Sequence, residues 1–159
     1  METPQWDKLF QEAYDLLDQT QYKTWADFIH SLDESHQNAI LLGRLNGEVC
    51  NGGFQQLIDN GFYNPELAPM IKASLVKLNT ESSQKTIALL EIVDSILKED
   101  FEYNHRTKEY EYNNPYQIED EDEFPNLGDE IDRKDVDGQY YKFNEVLEQD
   151  IESYLSRTK

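Results

Sequence analysis

Carboxylates are the residues with the most chemistry to offer in this chain. Thirty-three Asp and Glu stand against 14 Lys and Arg, a net charge of −19, and seventeen of the acids lie beyond residue 100. Glu12 with Asp15, Glu91 with Asp94, and Glu145 with Glu148 and Glu152 recur at spacings of three and four. On a helix that spacing sets like charges about 5–6 Å apart at Cβ, which is mildly destabilising. Duplex DNA offers about one negative charge per 1.7 Å of axis. Rows of carboxylates on stiff helices can imitate such a line for a basic, DNA-binding surface. Nucleic acid itself and anionic membranes would be repelled. Solubility, or adaptation to salt, is the plainer use of the same charge.

Other reactive groups give weaker patterns. The stretch "DRKDVDGQYYKFNE" resembles a calcium loop with Gly138 at the sixth position and Asp135 and Asp137 at the third and fifth. Its first position is then Arg133 and its twelfth Asn144, so two of the strongest requirements fail. His30, His36 and His105 have no ligand pairing at helical spacing, and no metal is expected. Cys50 is the single cysteine, so an internal disulfide is excluded and a reducing compartment fits. Glu48 close by, with no Lys or Arg nearer than Arg44, suits a structural role for the thiol better than a reactive one. A nucleophile elbow, a phosphate loop and an HExxH helix are all missing from the sequence. Neither catalysis nor a cofactor is expected.

The elements that must position these groups are helical. Thr3 and Pro4 are a cap and first residue for a helix whose Trp6, Leu9, Phe10, Ala13, Leu16 and Leu17 fall on one face. Thr24 and Asp27 have the spacing of a capping box, opening a short helix with Trp25, Phe28, Ile29 and Leu32 inward. A third helix is predicted from about Glu34 to Asn51, burying Ile40, Leu41, Leu45 and Val49. Asn64 and Pro65 start another, with Ala68, Ile71, Leu75 and Leu78 at helical spacing. Its companion bears Ile87, Leu90, Val93 and Leu97. The last begins near Phe143, with Val146, Leu147, Ile151, Tyr154 and Leu155. The expectation is an all-α, single-domain bundle of about six to eight helices spanning 1–159. The N-terminus "METPQWDKLF" has neither a basic n-region nor an apolar h-region, and no apolar run is long enough to span a bilayer. A cytoplasmic location is expected.

Residues 99–126 depart from this periodicity. Between Glu99 and Glu123 stand ten acids and two bases, ending in the run "EDEDE". "KEYEYN" alternates polar and aromatic residues and suits a short hairpin arm. A long acidic loop with its tyrosines tucked onto the bundle is the expected form, and loops of that length are usually functional or disordered.

The stretch "EVCNGGFQQLIDNG" sets Gly52 and Gly53 between two apolar helical segments. Adjacent glycines after a helical run read as a stop and immediate restart, and Asn60–Gly61 ends the second segment. A phosphate cradle fits poorly, because the glycines follow a helix and no lysine accompanies them. By physics alone the stretch is a helix–helix corner.

That corner also resembles the signature of a bacterial family of small acidic helical proteins whose named member is a neisserial DNA mimic. Most relatives are known only as a domain of unknown function. The matching positions are Glu48, Val49, Asn51, Gly52, Gly53, Phe54, Gln56, Asn60 and Gly61, together with the segment after Pro65 and "YYKFNEVLEQDIESYL". Three features depart from the pattern. Cys50 stands where the family more often has Asn, Leu57 where an aromatic is common, and residues 99–126 form a longer stretch. The resemblance implies an all-helical fold, with a homodimer as the expected assembly, that shows a DNA-like negative surface to a DNA-binding protein such as a transcription regulator. With the charge pattern, the partner-binding candidates are Glu99, Asp100, Glu102, Glu109, Glu111, Glu119, Asp120, Glu121, Asp122, Glu123, Glu145, Glu148 and Glu152. An inhibitor that plugs a basic nuclease or toxin is the competing reading, since acidic surfaces suit it equally well. An enzyme with a polar pocket beside Asn51 and Gln55 is the third.

Overall fold

The computed structural model describes residues 5–18, 24–113 and 126–157. Among them, eight helices and one hairpin follow in the order α1 (Gln5–Asp18), α2 (Trp25–His30), α3 (Glu34–Asp59), α4 (Leu67–Leu78), α5 (Glu81–Asp100), β1 (Phe101–Asn104), β2 (Glu109–Tyr112), α6 (Leu127–Arg133), α7 (Val136–Tyr141) and α8 (Asn144–Arg157). The all-α expectation holds. Thr3, Pro4, the run Glu119 to Glu123 and the side chains of Trp6 and Leu17 lie outside the described residues.

Local chemistry sets the helix ends. Thr24 accepts from the Asp27 N–H at 3.1 Å to open α2, and Asp33 accepts from the His36 N–H at 2.9 Å to open α3. Helix α4 starts one turn after the Asn64–Pro65 signal. Its lead-in is nonetheless tied by Asn64, whose side chain accepts from the Glu66 and Leu67 N–H groups at 2.9 and 2.8 Å. Asn79 takes a left-handed conformation to end α4, and Thr80 with Ser83 forms a reciprocal capping box for α5.

All eight helices feed one core. Leu9 and Ala13, Phe28 and Ile29, Ile40, Leu42 and Leu45, Ile71 and Leu75, Leu90 and Val93, Ile131, Tyr140, Leu147 and Ile151 are buried in it. Helix α3 is its axis, touching α1, α2, α4, α6, α7 and α8. Two expected core residues stand outside: Leu16 is 42% exposed and Val146 51%. In α8 the buried stripe is Leu147, Ile151 and Leu155, and Val146 sits about 100° off its line.

The expected long loop begins differently. Glu99 and Asp100 are the last helical residues of α5. The chain then forms an antiparallel hairpin in the register Phe101↔Tyr112, Glu102↔Glu111, Tyr103↔Tyr110 and Asn104↔Glu109. The alternation read in "KEYEYN" is the reason: Phe101, Tyr110 and Tyr112 pack on the core, while Glu102, Glu109 and Glu111 are exposed. Rings pair across the strands, Phe101 with Tyr112 at 6.2 Å and Tyr103 with Tyr110 at 5.0 Å between centroids. Residues 114–125 of the expected loop are outside the described residues.

A glycine corner and two rows of unpaired carboxylates

The corner is built inside α3. Gly52 (φ −151°, ψ 17°) and Gly53 (φ 77°, ψ −178°) leave helical geometry and split the helix into two limbs. A side chain at Gly53 would need an unfavourable left-handed backbone, and its Cβ would run into the Asp137 carboxylate. Asp137 lies there for a reason. Its Oδ1 accepts from the Phe54 N–H at 2.9 Å, so α7 supplies the cap for the second limb across 83 residues. Burial raises the Asp137 pKa; the Phe54 N–H lowers it, and Asp132 and Asp135 raise it further. The far end closes as a Schellman motif: Phe62 N–H to Leu57 C=O at 3.1 Å and Gly61 N–H to Ile58 C=O at 3.0 Å, with Gly61 at φ 74°.

Glu48 holds the two limbs at their angle. It is only 8% exposed. Its Oε2 accepts from Gln56 at 2.8 Å and Asn60 at 2.7 Å on the second limb. Its Oε1 pairs with Arg44 at 2.9 Å on the first. The Arg44 guanidinium lies 5.1 Å from the Trp25 ring centroid and 5.2 Å from that of Phe62. It also donates to the Tyr14 hydroxyl at 2.9 Å, which brings α1 into the same network. Asn51 donates to Gln56 at 3.4 Å, and the Val49 carbonyl accepts from the Tyr141 hydroxyl at 2.8 Å. Phe54 packs edge-on to Tyr140, whose hydroxyl donates to Asn46. Of the nine matching positions, Gly61 closes the second limb, Val49 takes part through its carbonyl, and the other seven bend α3 or fix the bend. Of the departures, Leu57 is fully buried, and Cys50 is exposed between Asn46 and Asn144, at 3.4 Å from each. Arg44 and Asp137 were not legible as partners of this motif, because both sit outside it in sequence and nothing local marks them.

The described partner-binding candidates fall in two groups. Glu99, Asp100, Glu102, Glu109 and Glu111 occupy the end of α5 and the hairpin. Glu145, Glu148 and Glu152 lie on α8, which packs against α1, α3, α4, α5 and α7. Among the described residues, Glu34, Glu48, Glu81, Asp94 and Glu130 pair with a lysine or arginine, and Glu12 and Asp33 share His36. None of those pairs involves a partner-binding candidate.

Several candidates also stand where they oppose folding. Glu102 and Glu111 are direct cross-strand neighbours, and like charges so placed are destabilising. Glu111 has one hydrogen bond, from Asn104 at 3.1 Å. Glu99 and Asp100 end α5, at the negative pole of its dipole. The sign reverses at the hairpin tip, where His105, Arg106 and Lys108 are exposed. On α8 the acids are spread at about 5 Å per charge along the axis, sparser than a duplex. Glu152 is only half-exposed there, while Glu145 and Glu148 are exposed.

Among the described residues, no cluster of three or more His, Cys, Asp or Glu could hold a metal, and no helix is long and apolar enough to cross a membrane. Asp135 takes a left-handed conformation at the start of α7, and Asp137 is committed to the corner.

No curated protein and no solved structure matches the chain. The model of the DMP19-like protein family matches residues 30–158, all of α3 to α8 with the hairpin between them, and the chain belongs to that family.

Proposed function

We propose that this is a non-catalytic interaction protein, a cytoplasmic DNA mimic that occupies the DNA-binding surface of a basic protein. The observation that supports it is the placement of carboxylates where they cost stability and have no cation. Glu102 faces Glu111 across the hairpin, and Glu99 and Asp100 end α5. A merely soluble protein has no need of acids in those positions, since solubility follows from net charge wherever it sits. Membership of the DMP19-like family agrees with the reading.

Capture from a lysate of the native cell, with and without competing duplex DNA, tests this reading. A DNA-binding protein retained by the chain and released by duplex of unrelated sequence is the expected result. Retention that duplex DNA cannot reverse would replace mimicry with a specific plug of a nuclease or toxin. The proposal includes a homodimer as the working form, which sedimentation of the purified chain checks.

A further inference from the structure

The hairpin and the end of α3 enclose a cleft of about 250 Å³ that the corner does not use. Its apolar side includes Ile58 and Leu127, and Tyr63, Tyr103 and Tyr110 bring their rings to it. Asp59, Glu109 and Lys108 supply its charges. Among the described residues, neither carboxylate has an ion pair or a hydrogen bond, and neither do the Tyr103 and Tyr110 hydroxyls. Burial and the charge of Glu109 both raise the Asp59 pKa, and burial with Asp94 and Tyr103 pushes the Tyr110 phenol up to about 12. Two carboxylates therefore share a cleft with three tyrosines, and neither is ion-paired to Lys108.

We infer that this cleft seats an arginine side chain of the protein partner, its guanidinium between the Asp59 and Glu109 carboxylates and against the tyrosine rings. The chemistry favours arginine over lysine. A guanidinium is planar, stacks on aromatic faces and donates in a fork that suits carboxylate oxygens. It is also less strongly hydrated than an ammonium, so a place against the half-buried Tyr103 and Tyr110, beside carboxylates that are themselves exposed, costs it less. Lys108 opposes any cation there, which gives the inference a sign that a general attraction to acidic surface lacks. The inference rests on the proposed function in one respect: it takes the partner to be a basic protein. It differs in assigning part of the recognition to a shaped site and not to a charge row alone.

The test uses the full chain and a small probe, N-acetyl-arginine amide, followed through tyrosine ring resonances, with N-acetyl-lysine amide as the comparison. The expected result is saturable shifts at Tyr103 and Tyr110, with Tyr141 and Tyr154 little moved, and tighter binding of the arginine probe. Asp59→Asn and Glu109→Gln should each weaken binding about two- to fivefold, and Lys108→Gln should strengthen it by a similar factor. Unchanged thermal midpoints in the three variants keep the reading on the cleft. Shifts spread evenly over the tyrosines, equal binding of the two probes, or no response to the three substitutions would overturn it. So would Tyr103 and Tyr110 resonances that move on dilution of the protein alone, which would make a second copy of the chain the occupant. Failure of mimicry is distinguishable: the probe would still saturate the cleft although no DNA-binding protein is captured from lysate.

Discussion

Glu48 and Glu102 are the same residue type put to opposite uses. At the glycine corner Glu48 is withdrawn from water, and Arg44, Gln56 and Asn60 together hold both of its oxygens. On the hairpin Glu102 is exposed and faces another carboxylate. The first region turns a charge into geometry; removing any partner leaves a buried group unsatisfied. The second leaves its charge available at a small cost in folding. The difference teaches how an acidic protein divides its carboxylates: some are held by partners and build the molecule, and others are left free on its surface.

The sharpest way to break this comparison is at the corner. Glu48→Gln removes the charge opposite a largely buried arginine, and breaking such a pair costs about 3–5 kcal/mol. For a chain of this size each 1 kcal/mol moves Tm by about 2–4 °C, so thermal melts should fall by about 6 °C or more. Partner affinity per folded molecule should not change. A melt that barely moves would make the corner ornamental.

Gly53→Ala comes next. The left-handed backbone costs of order 1–3 kcal/mol for a residue with Cβ, and the new methyl meets Asp137. The paired substitution Asp137→Ala removes the clash but also the cap of the second limb, worth about 1 kcal/mol. In the double variant the two losses should be less than additive, because the carboxylate that the methyl strikes is gone. Full additivity in denaturant titrations would mean that the strain is in the backbone alone.

The hairpin should respond with the other sign. Glu102→Gln with Glu111→Gln relieves like-charge repulsion and should raise stability by about 0.2–1 kcal/mol. The same pair of substitutions should slow association with a basic partner most at low salt and least at high salt. A loss of stability here, or an unchanged on-rate at low salt, would remove the distinction between the two regions.

This division was partly legible beforehand. The helices announced themselves through spacing: Leu147, Ile151 and Leu155 mark α8, and Thr24 with Asp27 marks the start of α2. Gly52, Gly53 and Gly61 announced the corner and its end, since two of them take a positive φ that other residues avoid. Spacing could not report the partner of the corner, because Asp137 reaches Phe54 across 83 residues; a sequence scan sees only a failed calcium loop there. Helices α6 and α7 were likewise hidden, being too short for a period to show. The alternation in "KEYEYN" offers a hairpin arm, but the acids and prolines around it favour a loop, and only the packing of its aromatic side on the core decides for the hairpin. The cleft gave no sequence signal at all. Asp59 and Glu109 come together only because the hairpin folds back beside the end of α3.

His36 allows a carboxylate to be moved from one class to the other without mutation. Its Nε2 lies 2.7 Å from Glu12 on α1 and its Nδ1 2.7 Å from Asp33. A neutral imidazole can donate from only one nitrogen, so both contacts are satisfied only in the protonated ring. Burial of the ring opposes that charge, but Glu12 and Asp33 together outweigh it and raise the pKa above 6.5. A pKa raised in the folded state gives stability that is complete below the unfolded value and is lost as pH rises through the folded one. As pH rises from 6.5 through the folded pKa, the wild-type melt should therefore fall relative to that of His36→Gln, by no more than about 1 kcal/mol, since both carboxylates are well exposed. Parallel pH curves for the two proteins would mean that the clamp has no strength. A gap that widens on acidification and closes above the folded pKa would show one pair of acids changing from partnered to bare, with α1 losing one of its ties to α3 in the same step.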